Sequence, residues 1–235
     1  MDRWVDFAGL FNFRDVAMLT GRPGVLYRSD ALCSLVEQDR PRYESLGVHT
    51  VIDLRRPEEI EGQGRAPQWA CQVWHNVTLH EEVWPVGECE TEDAVSAYLA
   101  GVYLGMHAAD VVKVLRILAQ EATGPAVLHC AGGRDRTGVV VALLLSLVGV
   151  GDAEIAADYA ETEKFTLRWL QWHHETTGET VQLPPNIRYT PPEAILGYLG
   201  QLRELHGSVQ DYLMKAGLDT AVIEALRARM APAAL

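Results

Sequence analysis

The apolar positions of the chain fall into two textures. In the first half they form short, dense runs: "GVLYRS" (24–29), "HTVIDL" (49–54), "CQVWHNVTL" (71–79) and "AVLHC" (126–130) are rich in valine, isoleucine, leucine and aromatics and lie close to turn formers. Runs of that length and composition predict strands. "TEDAVSAYLAGVYLGM" and "AADVVKVLRILAQEA" instead space their apolar residues three and four apart, which predicts helices, and Gly124 with Pro125 closes the second before the next strand. Strand, helix and strand in that order predict an α/β fold with a largely buried sheet flanked by helices.

Beyond Gly151 only the helical spacing remains. "DAEIAADYAETEKFTLRWLQWHH" is followed by the proline-rich break "LPPNIRYTPPE" and then by "AILGYLGQLRELHG", "SVQDYLMKAG" and "TAVIEALRARM". The apolar stripes of these segments are broad, so the expectation is a helical C-terminal layer, 151–235, packed on the same core within one domain, 1–235. No internal repeat is visible.

Composition narrows the function classes. A formal net charge of −12 disfavours nucleic acid and anionic membrane surfaces as partners. The longest apolar run, Val139 to Val150, is too short to cross a bilayer, and "MDRWVDFAGLFNFRDV" lacks the continuous apolar stretch of a secretory signal. Cys33, Cys71, Cys89 and Cys130 form no CxxC pair and no zinc spacing. A cytoplasmic protein without stable membrane insertion and without a metal is expected.

One apolar run is broken in its middle. In "AVLHCAGGRDRTGVVVALLLSLVGV" (126–150) a buried strand leads through Cys130, two glycines and two arginines into a helix apolar nearly all round. A strand-to-helix loop of this kind aims backbone N–H groups and the positive end of the helix dipole at one spot, which attracts an anion and stabilises a thiolate. Arg136 follows Cys130 at the start of the helix, and its planar fork can hold two oxygens of a phosphoryl group. A Walker-type nucleotide loop is excluded, because "GRDRTGV" lacks the Gly-Lys-Ser/Thr ending.

"HCAGGRDRTG" resembles the signature of the cysteine-dependent phosphatases. With "FNFRDV" (11–16), "LYRSDAL" (26–32), "VIDLRRPEE" (51–59) and "SVQDYLMKAGL" (208–218), the chain is similar over nearly its whole length to the bacterial tyrosine phosphatase family with mycobacterial and listerial members. The resemblance implies a central, mostly parallel, tyrosine-phosphatase-like sheet. It also implies hydrolysis of phosphotyrosine or related monoesters through a phosphocysteine intermediate, with no cofactor.

Carried over by position, Cys130 is the nucleophile and Arg136 the binder of developing charge, with the phosphate held by Ala131, Gly132, Gly133, Arg134, Asp135 and Arg136. Thr137 assists hydrolysis of the intermediate, and His129 orients the loop. Two places compete for the general acid. The family implies Asp135; the rival is "VWPVGECETED" (83–93), with Glu88, Glu90 and Asp93, where Val86 stands in place of the aspartate of the animal acid loop. Arg134 replaces the usual lysine, and a basic residue here opens phosphoinositides, other multiply phosphorylated substrates or small phosphorylated metabolites as alternatives to a phosphoprotein. A non-catalytic phosphate-binding module is the alternative of another class. Asp15, Asp53 and Arg55 read as structural ion pairs or caps, with lining of the phosphate pocket as the alternative, and His129, Asp53 and Arg55 as its supporting residues. Cys33, Cys71 and Cys89 read as structural, His173 and His174 as non-ligating, and Trp169 and Trp172 as a possible lid.

Overall fold

The computed structural model describes residues 3–79, 89 and 91–232. Among these, five strands form one sheet: β1 (Arg14–Asp15), β2 (Leu26–Ser29), β3 (Thr50–Asp53), β4 (Val73–Asn76) and β5 (Ala126–His129), in the order β1-β2-β5-β3-β4. All pairings are parallel except β1 with β2. The four longer strands lie within the runs read from the sequence. β1 escaped notice because two residues carry no periodicity.

Alternation along the strands feeds two cores. Leu26, Ile52, Ala126 and Leu128 enter a large cluster, while Tyr27, Val51 and Val127 enter a smaller one. The smaller cluster is closed by α1 (Arg40–Glu44), which brings Tyr43; α2 (Pro57–Gln63) follows β3. The larger one is covered by α3 (Glu92–Leu104), α4 (Ala108–Arg116), which runs on into a π-helical turn at Ile117–Glu121, and α5 (Asp135–Leu147). α5 is apolar nearly all round because it is buried nearly all round, between the sheet and the helices that follow.

Those helices are α6 (Asp152–Ala160), α7 (Thr162–Thr177), α8 (Pro185–Arg188), α9 (Pro192–His206), α10 (Val209–Lys215) and α11 (Thr220–Met230). Ile155, Tyr198, Leu213 and Leu226 join Leu128 and Leu144 in the same cluster. α7 is the exception: only Thr162 and Thr166 are buried, and Leu167 and Trp172 face outward. Among the described residues no helix is long and apolar enough to cross a membrane.

Candidate active site

The carboxyl ends of β2, β5 and β3 lie side by side, and the loop 130–134 leaves β5 there to start α5. Open parallel sheets place their ligands at this edge. The loop's shape follows from where its carbonyls are tied. Ala131 O accepts Ala31 N–H at 2.9 Å, Gly132 O accepts Asn12 Nδ2 at 2.8 Å, Gly133 O accepts Arg28 Nη2 at 2.6 Å, and Arg134 O accepts Gly138 N–H at 2.7 Å. With four successive oxygens tied to the protein, the N–H groups of the same trans peptides turn the opposite way, and the first N–H groups of α5 have no intrahelical partner. Gly133 N–H donates to Cys130 Sγ at 3.2 Å. Gly133 has φ +70°, and a Cβ on it would stand 2.3 Å from Ser29 O, so only glycine closes this turn.

Arg136 is held by a residue that the sequence reading did not single out. Its Nη1 and Nη2 donate to Glu59 Oε2 and Oε1 at 2.6 and 2.9 Å, and Nη1 also reaches Leu54 O at 3.4 Å. A guanidinium has five N–H donors, so among the described residues the Nε–H and one Nη2–H remain: the edge that can take two oxygens of a phosphoryl group. Burial pushes the Glu59 carboxyl up, but the hydrogen bonds from Arg136 and from the Arg56 backbone outweigh it and hold Glu59 at about 2. Glu59 is therefore an anion that orients the guanidinium and leaves that edge open.

Asp135 opens α5. Its Oδ1 accepts Tyr103 O–H at 2.6 Å and Arg134 Nε–H at 3.0 Å, and Tyr103 and Tyr159 pair their hydroxyls at 2.5 Å. Burial, with Asp135 nearby, pushes both tyrosines up, so they stay neutral. The rest of Arg134 turns to α8. Nη1 donates to Ile187 O and Tyr189 O at 2.8 and 3.2 Å and Nη2 to Asn186 O at 2.8 Å. The short helix α8 ends on carbonyls without intrahelical partners, and Arg134 satisfies them. Among the described residues four of its five donors go to α8 and Asp135, and one Nη2–H is left over.

The supporting residues sort as follows. Asp53 and Arg55 are a fully buried ion pair at 2.8 Å, and Arg55 Nη1 also donates to Cys33 Sγ at 3.5 Å. His129 is fully buried, with Nδ1 3.1 Å from Cys130 O and Nε2 3.6 Å from Asp53 Oδ2. A carbonyl only accepts, so Nδ1 is the donor. Burial pushes His129 down, aided by Arg55 and Arg136 against Asp53, so it is neutral at pH 7. Thr137 Oγ1 is buried without a hydrogen-bond partner among the described residues. Asp15 sits apart as a cap, accepting Gly24 N–H at 2.6 Å and Met18 N–H at 3.2 Å. Glu88 and Glu90 of the rival acid segment lie outside the described residues, and Asp93 is exposed in the first turn of α3.

Beside Ala131 opens a cavity of about 790 Å³ walled by Phe11, Phe165, Trp169 and Trp172, with Asp30 and Gln63 among its polar groups. α7 supplies three of those four rings, and Trp172 packs on Phe11 at 5.5 Å between ring centres. His173 stacks on Trp169 at 5.2 Å. Among the described residues no three His, Cys, Asp or Glu side chains stand together where they could hold a metal ion.

A model of the tyrosine phosphatase family matches residues 5–232. The chain is 28% identical to the triple specificity protein phosphatase PtpB of Mycobacterium tuberculosis, over 94% of this chain and 97% of that one. It is 26% identical to a tyrosine-protein phosphatase of Nostoc commune, over 88% of this chain and 74% of the relative. Among solved structures, the core catalytic domain of the PP-IP phosphatase SIW14 from S. cerevisiae, in complex with citrate, aligns over 86% of this chain and 96% of that one at 15% identity and a TM-score of 0.45. Matched by the family model along almost its whole length, the chain belongs to the tyrosine phosphatase family and is a hydrolase of phosphoric monoesters.

Proposed function

We propose that the chain hydrolyses phosphotyrosine or related aryl phosphomonoesters, with Cys130 as nucleophile. In the first step Cys130 Sγ forms a bond to phosphorus in line with the ester oxygen, the P–O ester bond breaks, and Asp135 gives its proton to the leaving oxygen. In the second step water attacks phosphorus, the P–S bond breaks, the thiolate returns, and the water's proton passes to the Asp135 carboxylate. The loop amides and the free edge of Arg136 hold the equatorial oxygens throughout. Among the described residues both donors on Asp135 go to Oδ1, which leaves Oδ2 to carry the transferred proton. Thr137 Oγ1, buried without a partner among the described residues, is free to bond the departing thiolate.

The observation that carries this reading is the loop itself: Gly133 N–H already donates to Cys130 Sγ at 3.2 Å while the carbonyls are tied away. The four aromatic walls beside Ala131 favour an aryl leaving group over an alkyl one. All four cysteines are free thiols, which fits a reducing, cytoplasmic setting.

Hydrolysis of an aryl phosphate without added metal, inhibited by vanadate and abolished in Cys130→Ser, is the expected result. Robust turnover by Cys130→Ser would refute the mechanism, and phosphate binding without turnover by the unaltered protein would make it a binding module. Comparing kcat/KM for phosphotyrosine peptides, phosphoinositides and small phosphorylated metabolites then ranks the substrates. The first class is expected to lead.

A further inference from the structure

The Gly132–Gly133 peptide unit is engaged at both ends. Its N–H, on Gly133, donates to Cys130 Sγ, and its oxygen, on Gly132, accepts Asn12 Nδ2 at 2.8 Å. A hydrogen bond accepted at the oxygen polarises the unit and makes its N–H a stronger donor. Asn12 is fully buried, and its amide is not free to turn. Arg14 Nη1 contacts Asn12 Oδ1. Because a guanidinium only donates, the amide oxygen must face Arg14, and Nδ2 must face Gly132.

Arg14 is fixed in turn by α6 and the first residue of α7. Its Nε donates to Asp158 Oδ1 at 3.0 Å, and its Nη2 donates to Asp158 O at 2.8 Å and to Thr162 Oγ1 at 3.1 Å. The other Asp158 oxygen holds Arg28 Nη1 at 2.5 Å, and Arg28 Nη2 binds the next loop carbonyl, Gly133 O. Burial opposes charge on Asp158, yet Arg14, Arg28 and Arg3 together hold it well below the usual carboxylate range. One buried anion thus steers donors onto two successive loop carbonyls.

From these contacts we propose that Asn12 is a positioning residue of the phosphatase reaction: locked by Arg14 and Asp158 in one amide orientation, it polarises the Gly132–Gly133 peptide so that Gly133 N–H favours the thiolate form of Cys130. The proposal rests on the reading of Cys130 as nucleophile. The other charges near the sulfur come from α5, whose Arg136 attracts the thiolate, and from β3, whose Asp53 is neutralised by Arg55. Glu59 of α2 is paired with Arg136, Asp135 with Arg134, and the adjacent His129 is neutral. None of them touches the Gly132 oxygen; Asp30, which burial pushes up to about 6, takes the Asn12 backbone N–H at 3.2 Å, a bond that both variants keep.

The test is alkylation of Cys130 by iodoacetamide, quantified on its own peptide by mass spectrometry, as the ratio of the rate at pH 6 to the plateau at high pH. Asn12→Ala removes the donor. Asn12→Asp keeps a partner for Arg14, so that the fold is retained, but turns an acceptor toward Gly132 O. In both variants the ratio is expected to fall, with the midpoint of the rate–pH profile moving up by about 0.5–1 unit, the factor of about 3–10 that one net hydrogen bond is worth. A merely structural role would lower the melting temperature and leave the ratio alone. An unchanged ratio in both overturns the proposal, as does a fall confined to Asn12→Ala, which would assign the effect to lost packing. Failure of the nucleophile reading is seen separately, as turnover by Cys130→Ser.

Discussion

Replacing Glu59 by glutamine keeps the side chain's shape and removes the charge that fixes Arg136. The carboxylate takes both Nη groups of Arg136, at 2.6 and 2.9 Å, and the Arg56 backbone N–H at 2.9 Å. Its drop from 4.5 to about 2 is the net of burial, which opposes the charge, and the Arg136 and Arg56 bonds, which favour it. That drop corresponds to about 3 kcal/mol. Solvent reaches the site, since the Glu59 and Arg56 side chains keep 15% and 20% exposure, so roughly half survives screening: about 1–2 kcal/mol. A carboxylate whose folded value lies below its unfolded one contributes fully above pH 4.5 and loses its contribution as the pH falls toward 2. Urea unfolding followed by circular dichroism should show Glu59→Gln less stable by about 1–2 kcal/mol at pH 7, with the gap shrinking to about two-fifths of that at pH 3. A guanidinium free to rotate also misplaces its phosphate edge, and kcat/KM on an aryl phosphate should fall about 10- to 100-fold. A stability gap that ignores pH would refute the charge argument. Unchanged kcat/KM would refute the orienting role.

Gly133→Ala forces a Cβ to 2.3 Å from Ser29 O at φ +70°, whereas Gly132→Ala meets only the Phe165 ring at 3.5 Å. The first should cost at least about 2–3 kcal/mol, or a melting temperature lower by about 5–10 °C, and the second under about 1 kcal/mol; equal shifts would contradict the loop geometry. Arg134→Met should reduce turnover of singly and multiply phosphorylated substrates by the same factor, because the arginine serves α8; a loss confined to the multiply phosphorylated ones would restore it as a substrate contact. Asp135→Asn should lower kcat about 10²-fold on a substrate with a poor leaving group and only a few-fold on one with a good leaving group. An equal response from both would move the acid to Glu88, Glu90 or Asp93.

What could be read from the chain is what is local. The strands, the buried helix after them and the spacing of Cys130 and Arg136 are periodicities and short offsets, and the structure carries them as written. The bonds of Arg134 to α8 could not be read for a reason of the same kind. Its charge is visible in "GRDRTG", but the carbonyls it satisfies lie more than fifty residues on, in a helix of four residues with no signature of its own. Glu59 stands in the quoted "VIDLRRPEE", yet it reads as an ordinary surface residue at a helix start until the parallel register of β3 and β5 brings it to Arg136.

Asn12, Arg14, Arg28 and Asp158 show why the support of a site is harder to read than its chemistry. The two arginines and the asparagine sit in the quoted motifs "FNFRDV" and "LYRSDAL", but each is fully buried and bonded to partners supplied by the distant loop and by α6. Polar side chains in an alternating strand pattern predict exposure. Here burial is tolerated because the partners arrive from α6, more than a hundred residues away, and every added bond sharpens the aim of a loop peptide. Three arginines around one aspartate leave an excess of positive charge within reach of the loop, and a site for a doubly charged phosphoryl group gains from that excess where a merely structural core would lose by it.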